Sequence, residues 1–277
     1  MYSRVYVEIT NVCNKSCSFC PKTKRAPIMM QKENFEHILS ELEGVTKYIY
    51  YHLMGEPLLH NELVEFIKLA SSRGFNSAIT TNGTLLSSVG DRLIDLGVYK
   101  VNISLHSFAD LSEEDFEKYT LSCIDFAKKA NDRGILVVFR LWNGDYDKNR
   151  NEKALKMIKD AFGIDEWHDS NRGARIRHRL HLEYGERFEW PSLSASDGGE
   201  NVFCYGLSDH FGILSDGSVV PCCLDSDGTL TLGNIFDAPL SKILSSEKAQ
   251  KIKNGFKNKK AVSKLCRLCG YAKRFKV

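Results

Sequence analysis

Three cysteines, Cys13, Cys17 and Cys20, fall in the string CNKSCSFC directly after the strand-like run Val5 to Ile9. The spacing C-x3-C-x2-C draws three thiolates, not four, from one tight loop. A cubane iron–sulfur cluster held by three protein ligands leaves one iron open, and an open iron can bind and activate a small molecule. Structural zinc takes four ligands in a pair-plus-pair layout, which x3 followed by x2 does not supply. A disulfide framework fits poorly, because the chain has nine cysteines and opens with Met1-Tyr-Ser-Arg4 straight into a strand-like run, with no secretory leader pattern. Three unrelated buried thiols fit no better, since Asn11, Asn14, Lys15 and Ser16 make the segment polar.

The cysteine loop opens a regular alternation. Strand-like runs at Val5–Thr10, Lys47–His52, Ser77–Thr81, Tyr99–His106 and Ile135–Trp142 are separated by helical patterns at Lys32–Glu43, Glu62–Ser72, Leu85–Leu96, Glu113–Asn131 and Glu152–Ala161. Asn61 and Ser112 suit N-caps, and Gly44, Gly74, Gly97 and Gly134 stand where helix C-caps belong. Repeated βα units predict an α/β fold with a parallel sheet, open or curled into a barrel. After Asp160 the pattern changes. Arg175–Tyr184 reads as one more strand, and Pro191–Glu200, rich in Ser, Asp and Gly, reads as a linker. A hairpin with Asp216-Gly217 at its turn follows, then a helix over about Leu240–Asn254 and a basic tail.

A chain of 277 residues buries a sizeable core without staples, as one large domain or a large and a small one. Its longest apolar stretch, Ile135–Phe139, is far short of the roughly 20 residues of a membrane span. The formal charge of +3 permits an anionic substrate and gives no argument for nucleic acid. Cysteine usage fits a reducing, cytoplasmic compartment.

CNKSCSFC resembles the radical S-adenosylmethionine (radical SAM) signature, with Phe19 as its aromatic residue. The resemblance implies a partial (β/α)6-type TIM barrel over residues 1–190 and a [4Fe-4S] cluster on Cys13, Cys17 and Cys20. In that family SAM chelates the open iron, and its reductive cleavage gives a 5′-deoxyadenosyl radical that takes a hydrogen atom from substrate. An electron donor such as flavodoxin or ferredoxin is then a partner.

Residues 191–277 carry a second cysteine set. Cys266-Arg-Leu-Cys269 is a C-x2-C knuckle, and Cys204 and Cys222 flank the hairpin. Four such thiolates can close around zinc or a four-iron cluster. The segment PCCLDSDGTLTLGNI resembles the auxiliary-cluster extension called SPASM in its long form and twitch in its short form. The extra cysteines of the long form are missing, so the resemblance implies a twitch domain with one [4Fe-4S] cluster on Cys204, Cys222, Cys266 and Cys269. Neighbouring Cys223 points to the opposite face, and Cys123 reads as a core thiol.

The site residues follow from strand ends. His52-Leu-Met-Gly-Glu-Pro57 is similar to the family's GGE segment, which implies a SAM contact at Gly55 and Glu56; a plain strand-to-helix turn explains the same residues. Thr80-Thr-Asn-Gly-Thr84 matches TNG, placing Asn82 near SAM. Asn102, Ser104 and His106 share one strand face, inward in a barrel. Ser104 matches a polar SAM contact, and His106 is a substrate contact or a strand-end histidine. Glu8 alternates with Val7 and Ile9 and is expected inside the barrel, in need of a partner or ligand. Arg140 and Trp142 share a face and frame SAM or substrate. Arg175, Arg177, Arg179, His181 and Glu183 form a substrate-facing wall or a solvated edge.

The implied activity is hydrogen abstraction from a small molecule. Among twitch-type members the layout is most similar to the queuine lyases, implying a queuine-like base, C–N cleavage to preQ1, and Glu8, His106 and Trp142 as candidate catalytic or substrate residues. Sugar or cyclitol dehydrogenases and peptide-modifying maturases share the plan, although with a first strand starting by Val5 no N-terminal peptide-recognition domain is expected. A non-catalytic iron–sulfur or zinc protein is the alternative of another class.

Overall fold

The computed structural model describes the chain apart from residues 145–146, 171, 195–198 and 276–277. Five strands, β1 (Arg4–Val7), β2 (Tyr48–Tyr50), β3 (Asn76–Thr81), β4 (Lys100–Ser104) and β5 (Leu136–Leu141), alternate with α1 (Lys32–Leu42), α2 (Leu63–Ser72), α3 (Leu86–Asp95), α4 (Glu113–Asp132) and α5 (Lys148–Phe162). Alternation along each strand decides the layers. Val5 and Val7 are fully buried under the helices, whereas Arg4 and Tyr6 face the other way and stay half-buried. Helix α4 returns the complementary face, with Phe116, Thr120, Cys123 and Ala127 all at 0% exposure and spaced three or four apart.

Helix ends follow their local chemistry. The Ser112 side chain accepts the Asp115 N–H at 3.1 Å, capping α4. Gly134 takes φ +76° just past its end. Asn61 is not a cap: α2 starts after Glu62, whose N–H is taken instead by His60 Nδ1 at 3.2 Å.

The expected single strand Arg175–Tyr184 is a hairpin. It consists of β7 (Gly173–Arg177) and β8 (Leu180–Tyr184), preceded by β6 (His168–Ser170). Arg179 turns the chain in the left-handed region at φ +59°, a conformation its residue type does not advertise. Arg175 lies on the neighbouring strand directly opposite His181, so it shares a sheet face with His181 and Glu183, whereas a register shift sets Arg177 opposite Leu180. Strand β8 lies parallel to β5 and supplies the sixth barrel position.

The C-terminal hairpin is β9 (His210–Ile213) and β10 (Ser218–Val220), turning at Gly217 with φ +85°, followed by β11 (Gly233–Asn234). Strand β9 pairs in parallel with β1, giving one eleven-stranded sheet in the order β11-β10-β9-β1-β2-β3-β4-β5-β8-β7-β6. The sheet does not close, so the barrel is partial. Division of the chain at 190/191 is a proposal; in the expected linker, 195–198 lie outside the described residues. The expected C-terminal helix is two, α6 (Leu240–Ser245) and α7 (Glu247–Lys257), broken where Ser246 caps the second.

No helix among the described residues is long and apolar enough to cross a membrane.

Candidate functional site

The cysteine loop leaves the C-terminal end of β1 and is pinned at its neck. Asn11 donates to Ala26 O and accepts from Ile28 N, both at 2.8 Å, and Met30 N bonds Ile9 O at 2.8 Å. Inside this ring Cys17 is buried, Cys20 half-buried and Cys13 exposed. Cys20 N bonds Cys17 O at 3.1 Å, closing a tight turn between the second and third cysteines.

Two strand ends support the loop. Gly55 sits at φ +75°, and a Cβ there would lie 2.3 Å from Thr10 O and 2.9 Å from Val12 O. Only glycine lets the β2 turn touch the loop backbone, and Glu56 N completes the contact by bonding Val12 O at 2.8 Å. The Glu56 carboxylate accepts from Asn82 N at 2.6 Å and Leu58 N at 3.1 Å, tying the β2 turn to the β3 turn. Burial raises Glu56 to about 7, with the Asn82 N–H and the Thr81 hydroxyl pulling the other way. Asn82 reaches the loop itself, donating to Asn14 Oδ1 at 2.9 Å and lying 3.7 Å from Cys13 Sγ. Gly55, Glu56 and Asn82 thus brace the cysteine loop through these contacts.

A second wall rises from β4 and β5. Strand β4 ends at Ser104, so His106 lies in a short helical turn, Leu105–Asp110, and not on the strand face it was expected to share. Leu105, the first residue of this turn, is fully buried. His106 packs on Phe19 with ring centroids 4.8 Å apart, and its Nδ1 meets Arg140 O at 3.1 Å. Burial lowers its pKa to about 4, so the imidazole is neutral near pH 7. With Nδ1–H assigned to the carbonyl, Nε2 is an acceptor. Arg140 bonds Glu183 at 3.1 Å and lies 5.0 Å over Trp142, which is also flanked by Arg274 and stacked near Tyr271. The Trp142 indole N–H is buried without an acceptor.

Glu8 does face inward, as its alternation with Val7 predicts, but its carboxylate is committed within the protein. Arg25 Nη2 donates to both oxygens at 2.7 and 2.8 Å, Ser215 donates through Oγ at 2.8 Å, and Met54 N donates at 3.1 Å. Sequence reasoning missed Arg25, which carries no local signal beyond lying in the basic run Lys22-Thr-Lys-Arg25. It also missed Tyr119, whose hydroxyl donates to Asn82 O at 2.7 Å from the middle of α4.

The distal cysteines converge. Cys204, Cys222, Cys266 and Cys269 line one small cavity with Pro221 and Leu230. Burial pushes the Cys266 thiol up to about 12, and neighbouring Cys204 and Cys269 add to the shift. That donor set fits a metal–sulfur group. Among the described residues no three Cys, His, Asp or Glu side chains gather closely enough for one metal ion; a four-iron cluster takes its thiolates on separate irons. Cys223 turns away, packing with Tyr6 around Leu53, Leu214 and Val220. Cys123 lies fully buried under Gly83.

Comparison with known proteins agrees with this layout. Residues 7–158 match the family model of the radical SAM superfamily, and 204–270 match SPASM, an iron-sulfur cluster-binding domain. Curated relatives include a probable GTP 3′,8-cyclase of Metallosphaera sedula, 30% identical over 58% of this chain and 53% of its own length. Another, from Sulfurisphaera tokodaii, is 31% identical over 66% of this chain and 60% of its own. The chain thus spans little more than half the length of these relatives. Among solved structures, BtrN in complex with AdoMet and 2-DOIA is 21% identical with TM-score 0.57, covering 97% of this chain and 93% of that one. Streptococcus suis SuiB bound to S-adenosylmethionine is 16% identical with TM-score 0.60, covering 90% and 67%. These two show the shared fold. The first family match alone takes in more than half of the 277 residues, and the chain belongs to the radical SAM superfamily, as an enzyme with a [4Fe-4S] cluster, SAM and a SPASM/twitch-type iron–sulfur domain.

Proposed function

We propose that this enzyme removes a hydrogen atom from a small polar molecule held inside the partial barrel, with Cys13, Cys17 and Cys20 as the ligands of the first cluster and Cys204, Cys222, Cys266 and Cys269 as those of the second. The observation that carries this reading is the support of one cysteine loop by two successive strand ends, through Gly55, Glu56 and Asn82. When bound, the reduced cluster and SAM supply the hydrogen-abstracting radical. The chain's own residues orient and shield. Gly55 and Glu56 fix the loop backbone, and Asn82 fixes the Cys13 side of the loop. Phe19 and the neutral His106 form an apolar and acceptor wall, with Ser104 on the neighbouring strand end. Arg140 and Trp142 close the far side.

The substrate reading favoured is a molecule with a guanine-like heterocycle. It is the common element of GTP, named in the curated relatives, and of queuine, suggested by the overall layout. Queuine loses one support, because Glu8 is occupied by Arg25 and Ser215 and is not free to meet the donor edge of a deazaguanine. Trp142, Phe188 and Tyr271 still offer an aromatic platform. The test is mass spectrometry of reduced, cluster-loaded enzyme incubated with SAM and either queuine or GTP. Appearance of preQ1 supports a lyase, and a cyclised product supports a cyclase. If both substrates come back unchanged beside a control enzyme that turns over, the heterocycle reading is wrong.

A further inference from the structure

Strand register stacks the inward side chains in rows. The floor row runs Gly212, Tyr6, Tyr50, Ala78, Lys100 and Leu136. Above it come Thr80, Asn102, Val138 and His181, and above those Ser104, Arg140 and Glu183. The carboxylates around this interior are taken. Asp209 holds Arg4 at 2.8 Å, Glu183 holds Arg140 at 3.1 Å and Glu8 holds Arg25 at 2.7 Å. Among the described residues Lys100 alone of these inward cations has no ion pair. Burial pulls its pKa down to about 8, and Arg140 and Arg4 push the same way against Glu183. Lys100 is half-buried, and Glu183 acts on its ammonium without forming an ion pair, so the partial desolvation is left largely uncompensated.

Two further groups on the same side lack partners. Asn102 is 0% exposed; its amide N–H donates to Thr80 Oγ1 at 3.0 Å, yet Oδ1 receives no donor. His52, two residues after Tyr50 and so on the same inward face, is kept neutral at about 3, chiefly by burial and then by the charges of Arg140 and Lys100. Its Nδ1 also has no partner. A half-buried cation without an ion pair thus adjoins a neutral ring nitrogen and an amide oxygen that are buried without partners, and native interiors rarely leave such buried groups unmet.

We infer that Lys100, helped by Arg140, is the oxyanion-binding end of the substrate site, so that the substrate is a small anion bearing a phosphate or carboxylate group, with a hydroxyl or N–H for Asn102. This rests on the reading that the barrel interior holds the substrate, and it narrows that reading by charge. A nucleotide satisfies it. Queuine, a base carrying an amine, does not.

The test uses enzyme with both clusters in place. Calorimetric titrations with inorganic phosphate and, separately, acetate are run at constant ionic strength against chloride. At least one oxyanion should bind saturably, about tenfold or more tighter than chloride. Lys100→Met should weaken that binding at least about tenfold, and Lys100→Arg should hold it within about threefold. Phosphate alone assigns a phosphoryl group, and acetate alone assigns a carboxylate. Oxyanions that bind no better than chloride, or equally well to Lys100→Met, overturn the inference. The SAM-induced change in the electron paramagnetic resonance of the reduced first cluster is read in parallel. It should be the same in Lys100→Met as in the parent, and its absence from the parent enzyme would indict the radical SAM site instead.

Discussion

Glu8 and Arg25 form a buried ion pair, with Nη2 at 2.7 and 2.8 Å from the two carboxylate oxygens and Glu8 at 0% exposure. The pair links distant parts of the chain. Arg25 belongs to the trailing arm of the cysteine loop and also donates through Nε to Ser226 O at 2.9 Å, just past Cys222 and Cys223. Thr23 and Lys24 reinforce the same junction by donating to Asp227 at 2.8 and 2.9 Å. One carboxylate just past the end of β1 therefore joins the first-cluster loop to the second cysteine segment.

Removing one partner leaves a buried charge uncompensated, which costs about 3–5 kcal/mol. Glu8→Gln should lower stability by about that amount in denaturant melts under anaerobic conditions. The double variant Glu8→Gln/Arg25→Met should lose clearly less than the sum of the two single losses, because the partners are coupled. Additive losses would mean the pair does not act as a unit.

Gly55→Ala should be far more damaging than its size suggests. The new Cβ would lie 2.3 Å from Thr10 O at φ +75°, so the turn must leave the loop. The strained backbone alone costs on the order of 1–3 kcal/mol. The expected outcome is loss of the SAM-induced spectral change at the first cluster, with iron at the second site retained.

Glu56 gives a pH signature with a definite sign. Burial raises it from an ordinary 4.5 to about 7. A raised acid contributes stability in full below about pH 4.5 and loses it as pH rises through about 7. The stability of the parent relative to Glu56→Gln should therefore fall on going from pH 5 to pH 8, by on the order of 3 kcal/mol. His52 and His106 are held at about 3 and about 4 and are present in both proteins, so they cancel in the difference. A flat difference across that range would show that Glu56 titrates normally.

The second cysteine set is tested by iron content. Cys266→Ala/Cys269→Ala should fall from about eight iron per chain to about four, since each four-iron cluster is lost as a unit. Retention of about eight would remove the knuckle from the ligand set.

Local signals carried much of this. Gly55-Glu56 and Asn82-Gly83 were legible through the family resemblance, and the two glycines also because tight turns demand them, while the inward row of Asn102 and Ser104 followed from alternation. The seats of Cys204, Cys222, Cys266 and Cys269 around one cavity followed from spacing and resemblance. What stayed hidden was either long-range or conformationally silent. Arg25 meets Ser215 and Ser226 about 200 positions away, which no window of sequence reveals. Arg179 turns a hairpin without glycine, asparagine or proline to mark it. Glu8 was expected to need a partner or a ligand; the partner proved to be Arg25, and only packing could decide between the two.

The most direct test is release of 5′-deoxyadenosine by anaerobically reconstituted, dithionite-reduced enzyme supplied with SAM. The account predicts release by the parent and none by Cys17→Ala at equal second-cluster iron. Iron-loaded parent enzyme that binds SAM yet releases no 5′-deoxyadenosine under any reductant would contradict it.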